Sequence, residues 1–226
     1  MLVLAIDTSG RNGSVALCRG NANSFDVLQF SALEGGTYSS RLVPNIAELL
    51  LRSKVTKLQL DGLVVVDGPG SFTGLRVGLS TVKALCEVLR TPLAVVSMLE
   101  ALAVIYGREA EAATAVLDAG RGEIYLGEYQ IDKQGARLLR QSIAKQDEFL
   151  EQVPARGLRV VTPVPKISEA LASVGFEVTL VTPLHADAIA RIGLRKLLAG
   201  NTANPATLDA NYIRRSDAEL FSPSKL

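Results

Sequence analysis

The feature that most limits how this chain can fold is a four-residue apolar run, Leu63-Val64-Val65-Val66. It feeds through Asp67-Gly68-Pro69-Gly70 into a helix-patterned stretch from about Phe72 to Arg90. This order specifies a buried strand, a tight glycine loop and a helix. Leu75, Leu79, Val82, Cys86 and Leu89 recur at helical spacing and make one core-facing stripe. Gly68 and Gly70 open backbone angles closed to other residues, Pro69 stiffens the turn, and Ser71 is placed to cap the helix. A helix start of this kind can hold an anion. Neither standard phosphate pattern is met, however. Leu75-Arg76 stand where a Walker loop needs Lys and Ser/Thr, and Thr73 stands where the dinucleotide pattern needs its third glycine.

Gly74 and Gly78 lie one helical turn apart, with Thr81 following. A glycine inside a helix costs about 1 kcal/mol relative to alanine, so two of them need a reason. Close approach of another backbone is the usual one. Two sources are open at this point: a neighbour in the same domain, or a helix of a second subunit.

The remaining elements fall into two similar successions. Strands are expected at Leu2–Ile6, Ser14–Cys18 and Phe25–Phe30, with Arg11-Asn12-Gly13 and Asn21–Ser24 as turns. A helix follows from about Ser39 to Arg52, with Ser39 and Ser40 as candidate caps and Pro44 in the first turn. Its apolar face is Leu42, Ile46, Leu49 and Leu50, with Val43 beside them. After the strand–loop–helix unit come a strand at Pro92–Val96 and a helix at Met98–Tyr106.

The second half offers strands near Ala113–Leu117, Glu123–Gln130, Ala136–Arg140, Leu158–Thr162 and Glu177–Val181. Helices fall at Asp147–Gln152, Lys166–Ser173 and Ala186–Leu198. The pattern is β-β-β-α-β-α-β-α, twice. It predicts an N-terminal lobe at 1–108, and a smaller C-terminal lobe with a tail at 109–226.

Composition removes several function classes. The formal charge is +1 over 226 residues, so no global attraction to nucleic acid exists. No 18-residue apolar run suggests a membrane span, and Met1–Leu4 reads as a strand rather than a signal peptide. Cys18 and Cys86 both fall in apolar patterns, as buried thiols of a cytoplasmic protein would. A single histidine, His185, rules out a paired-imidazole metal site, so no metal is expected. No Gly-x-Ser-x-Gly elbow is present, which argues against a serine peptidase.

Gly68-Pro69-Gly70-Ser71-Phe72-Thr73-Gly74-Leu75-Arg76-Val77-Gly78 closely resembles the signature of the bacterial TsaB (YeaZ) family. Leu4–Ser9 and Asp118–Tyr125 agree with it, and the tail at Asn211–Arg214 does so more loosely. The resemblance implies the actin-like fold, a duplicated ribonuclease H-like α/β architecture. It also implies a non-catalytic subunit that pairs with the transferase TsaD and, with the ATPase TsaE, supports threonylcarbamoyladenosine formation at position 37 of tRNA. The chain would be a homodimer when alone, and would meet tRNA only through the complex.

By the same resemblance the partner surface lies on the first two long helices. Its expected residues are Ser39, Leu42, Val43, Ile46, Phe72, Thr73, Gly74, Arg76, Val77, Gly78 and Thr81. Asp7-Thr8-Ser9 and Asp118 with Gly120 occupy the two turns that hold phosphate and metal in working members of the superfamily. Here they are expected to be vestigial, each aspartate capping its own turn. No cofactor is expected on the chain alone, while the subunit junction leaves room for ATP or ADP and Mg²⁺. The alternative is an ATP-dependent phosphotransferase that uses Asp7 and Asp118 by itself.

Overall fold

In a computed structural model, the described residues are 1–108, 111–133, 135–152 and 159–213. Three antiparallel strands open the chain: β1 (Leu2–Asp7), β2 (Asn12–Gly20) and β3 (Phe25–Glu34). Then follow α1 (Tyr38–Arg52), β4 (Gly62–Gly68), α2 (Phe72–Leu89), β5 (Leu93–Ser97) and α3 (Met98–Tyr106). The second succession is β6 (Ala112–Gly120), β7 (Glu123–Asp132), β8 (Gly135–Lys145), α4 (Gln146–Gln152), β9 (Arg159–Thr162), α5 (Pro165–Ser173), β10 (Glu177–Leu180) and α6 (Ala186–Leu198).

The duplication read from element order is a duplication of topology. One sheet runs β3-β2-β1-β4-β5 and the other β8-β7-β6-β9-β10. In each, a three-stranded meander is extended by two parallel strands that are reached through helices. The fold is therefore α/β, a duplicated ribonuclease H-like architecture of the actin-like kind.

Two compact units divide the chain. One holds Met1–Ala101 together with Pro183–Ala210, and the other holds Leu102–Thr182 and, of the described residues, 211–213. This corrects the division expected at residue 108. The last helix does not stay with the second succession but returns to the first sheet. The reason is steric fit: Leu194 and Leu197 press against Gly20 and Gly62, and Gly193 lies flat on Val64. A methyl group at any of these glycines would collide with its neighbour.

The first sheet is thus covered on both faces. Leu4, Ile6, Val15, Leu17, Leu63 and Val65 meet Leu42, Ile46 and Leu49 of α1 and Leu79, Val82 and Cys86 of α2. In the second unit Val116, Ile124, Leu126 and Val160 pack with Phe149, Ile167, Leu171 and Phe176. The Phe149 and Phe176 rings stack at 5.6 Å.

Smaller corrections follow from where the elements begin. Helix α1 starts at Tyr38, so Pro44 lies inside it rather than in its first turn. Thr37, not Ser39 or Ser40, is the N-cap, and it makes no side-chain cap bond. Asn12 and Gly13 belong to β2 rather than to a turn, because Gly13 is pressed between the Asp7 carbonyl and the Tyr38 ring. The Leu158 end of the expected ninth strand lies outside the described residues. Cys18 and Cys86 are both free and buried. Among the described residues, no helix is long and apolar enough to cross a membrane.

Candidate functional site

The signature loop is built against the turn that follows β1. Asp7, Thr8 and Ser9 are all buried there. Asp7 Oδ1 accepts from Ser9 N at 2.9 Å and from Ser9 Oγ at 2.6 Å. Burial pushes the Asp7 carboxyl above its ordinary value, against the opposing pull of the two Ser9 bonds and of His185. The Ser9 carbonyl accepts from Ser71 N at 2.6 Å, which ties the turn to the start of α2. Ser71 Oγ accepts from Gly74 N at 3.2 Å, the cap that the sequence predicts.

Gly74 and Gly78 owe their identity to the same turn. A Cβ on Gly74 would strike the Thr8 carbonyl oxygen, and one on Gly78 would strike Thr8 Oγ1. Thr8 Oγ1 donates to the Gly74 carbonyl at 2.7 Å across the contact. Gly70 lies equally close to the Ser9 carbonyl. Of the two sources left open by the sequence, the neighbour is therefore the chain's own β1–β2 turn. Both glycines are buried inside their own unit, so they are not partner-binding residues. A Thr8→Val variant keeps the shape and loses the hydroxyl. It is expected to cost about 1 kcal/mol, read as a lowered midpoint in urea unfolding.

The end of β6 repeats this chemistry. Asp118 Oδ1 accepts from Gly120 N at 2.7 Å, and Gly120 has φ of +73°, a conformation that favours glycine. Asp7 caps the two-residue step that follows β1, whereas Asp118 spans an irregularity within the last residues of β6, where the register with β7 shifts. In the first unit the glycine hollow beside Asp7 is filled by Thr8 and Ser9 themselves.

The other expected site residues divide by exposure. Leu42 and Ile46 are buried in the core and cannot meet a partner, which is a further correction. Their spacing marked the inward stripe of α1, not its outer side. Val77 and Thr81 are half-buried, and Thr81 Oγ1 donates to the Val77 carbonyl at 2.8 Å. Ser39, Val43, Phe72, Thr73 and Arg76 are exposed. The Arg76 guanidinium lies over the Phe72 ring, 3.8 Å from its centre, and presents an aromatic–cationic knob at the start of α2.

The outward side of α1 adds Ala47 and Leu51 to the expected Val43. The three are exposed at i, i+4 and i+8, with Pro44 beside them. Val43 is 62% exposed and Leu51 77%. On α2 Val88 is 70% exposed. The i, i+4, i+8 spacing was available in the sequence, but the stronger inward stripe of α1 masked it.

Two successions of one topology, each with an aspartate at the end of its first strand bonded to the backbone two residues on, define a member of the actin-like α/β class. The solved structure of a Pseudomonas aeruginosa protein described as similar to peptidase YEAZ superposes with a TM-score of 0.75 over 94% of this chain and 99% of that one. A second, YeaZ from Pseudomonas aeruginosa, gives 0.72 over 93% and 100%. Both are 24% identical in sequence, so the likeness is one of fold. By sequence, the tRNA threonylcarbamoyladenosine biosynthesis protein TsaB of Bacillus subtilis is 35% identical over 66% of this chain. The protein of the same description from Escherichia coli is 34% identical over 60%. The chain spans 63% and 58% of the lengths of these two relatives. The family model for TsaD, tRNA N6-adenosine threonylcarbamoyltransferase, matches residues 35–203, and the chain belongs to this family, within its TsaB (YeaZ) group.

Proposed function

We propose that this chain is a non-catalytic subunit in the biosynthesis of N6-threonylcarbamoyladenosine at position 37 of tRNA. It pairs with a TsaD-type transferase and, through that pair, with the ATPase TsaE, in the cytoplasm. The reading is carried by the likeness to two proteins described as tRNA threonylcarbamoyladenosine biosynthesis protein TsaB. The partner surface comprises the outward sides of α1 and α2: Ser39, Val43, Ala47, Leu51, Phe72, Thr73, Arg76 and Val88. Exposed apolar side chains at helical spacing support it, since such a face is costly to leave in water. The same face accounts for a homodimer when the transferase is missing.

The non-catalytic part of the reading rests on chemistry. One histidine in the sequence supplies no pair of imidazoles for zinc or iron. One oxygen of the Asp7 carboxylate, Oδ1, takes both Ser9 bonds inside a buried turn, which disfavours the phosphotransferase alternative. ATP or ADP with Mg²⁺ would then sit at the junction of the complex, and tRNA would be met there. The Arg214-Arg215 pair lies outside the described residues.

The test is reconstitution of tRNA modification from purified transferase, TsaE and this chain. Modification is expected with all three present, and a loss of at least about tenfold when this chain is omitted, a difference of about 1.4 kcal/mol in the effective barrier. Full modification without the chain, or nucleotide turnover by the chain alone, would contradict the proposal.

A further inference from the structure

The turn that joins β1 to β2 holds both of the helices whose outward sides form the proposed partner surface, and it divides its residues between them. Thr8 and Ser9 serve α2. Thr8 Oγ1 donates to the Gly74 carbonyl at 2.7 Å, and the Ser9 carbonyl accepts from Ser71 N at 2.6 Å. Gly10 and Arg11 serve α1. The Gly10 carbonyl accepts from the Tyr38 hydroxyl at 2.9 Å, and a Cβ on Gly35, in the loop that leads into α1, would strike the Arg11 carbonyl oxygen. The Tyr38 ring also lies against Gly13 in β2, with no room for a methyl group between them.

The two halves are unequal. Thr8 and Ser9 are buried, whereas Gly10 and Arg11 are exposed. Helix α2 begins with a side-chain cap from Ser71, but Thr37 gives α1 none. Tyr38 is the first residue of α1, and its hydroxyl ties the first turn of the helix to the β1–β2 turn. A further tie, Ser31 Oγ to Asn45 Oδ1 at 2.8 Å, lies about two helical turns further on. Leu42, Ile46 and Leu49 hold the body of α1 on the core. Apolar burial is non-directional, however, and leaves the tilt of a helix loosely set, whereas a hydrogen bond has a preferred direction.

We infer that the β1–β2 turn is the clasp that fixes the tilt of α1 against α2, and that Tyr38 is the positioning residue through which it does so. The inference rests on reading the outward sides of α1 and α2 as the surface that meets a TsaD-type transferase. A partner that touches both helices at once binds only chains whose helices stand at the right angle. Its affinity therefore falls with the fraction of chains so arranged. Tyr38→Phe removes the bond and leaves the carbonyl of exposed Gly10 to water, so the chain should stay folded.

Two measurements on the full chain test the clasp. Spin labels at Ala47→Cys and Ala84→Cys, both exposed positions, report the separation of α1 and α2 with no partner present, while Cys18 and Cys86 stay buried. One narrow distance is expected with Tyr38 in place and a broader distribution in Tyr38→Phe. Tyr38→Leu, which also withdraws the ring from Gly13, should broaden it further. Titration into the transferase should show Tyr38→Phe binding about tenfold more weakly, as a tenfold fall in the competent fraction requires. Ile167→Val, in the core of the second unit, is comparably destabilising and should leave affinity unchanged. Distance distributions that coincide with and without the Tyr38 hydroxyl would overturn the clasp. An equal loss of affinity in Ile167→Val would overturn the positioning role and leave Tyr38 a structural residue. Broadened distances with undiminished affinity would instead overturn the reading of the two faces as one partner surface.

Discussion

A Gly74→Ala variant is expected to unfold at markedly lower denaturant than wild type, with a loss of about 3 kcal/mol or more. The sign is what makes the experiment informative. At an exposed helical position, or one that faces a partner, glycine to alanine gains about 1 kcal/mol in the isolated chain. At Gly74 the new methyl would meet the Thr8 carbonyl oxygen, a backbone atom held by the sheet on one side and by the Ser71–Ser9 bond on the other. Neither side can yield cheaply. Gly78→Ala should lose less, because its obstacle is the Thr8 hydroxyl, the end of a side chain that can turn. It would then forfeit the Thr8 bond to the Gly74 carbonyl. Against a total stability of about 5–15 kcal/mol, the Gly74 change consumes a large fraction, and a Gly74/Gly78 double variant is expected not to fold. A gain in stability at Gly74 would mean that the glycines are there for another molecule after all.

The second large effect is on binding alone. Val43→Glu combined with Leu51→Glu places two carboxylates on the outward side of α1, at positions now 62% and 77% exposed. Neither side chain contributes to the core, so the unfolding midpoint should stay within about 0.5 kcal/mol of wild type. If a transferase subunit covers this face, each buried carboxylate costs about 2 kcal/mol or more. Affinity should then fall by at least about a hundredfold. Stability and binding therefore separate cleanly between the two sides of the same helices. Changes at Gly74 are expected to act on stability, whereas changes at Val43 and Leu51 are expected to leave a folded chain and act on pairing alone.

The sequence revealed whatever depends on local pattern. The period of Leu75, Leu79, Val82 and Cys86 placed the core side of α2, and Ser71 stood where its cap was needed. The two successions of elements revealed the duplicated topology. What stayed hidden depends on contacts distant in the chain. Gly74 was readable as a close approach, but its neighbour Thr8 lies 66 residues away. The amphipathic pattern of α6 predicted a helix with one apolar face, yet could not say which sheet it would cover. Only the gaps over Gly20, Gly62 and Val64 decide that. On α1 the sequence contained two stripes, and the greasier inner one, Leu42–Ile46–Leu49, hid the continuation of Val43 through Ala47 and Leu51.

Isothermal titration of the full chain into a purified TsaD-type transferase from the same source bears most directly on the account. The wild-type chain is expected to bind in the micromolar range or tighter, about −8 kcal/mol or more. The Val43→Glu/Leu51→Glu chain, equally stable, should bind at least about a hundredfold more weakly. Equal affinity of the two chains would contradict the assignment of the outward faces of α1 and α2 as the partner surface.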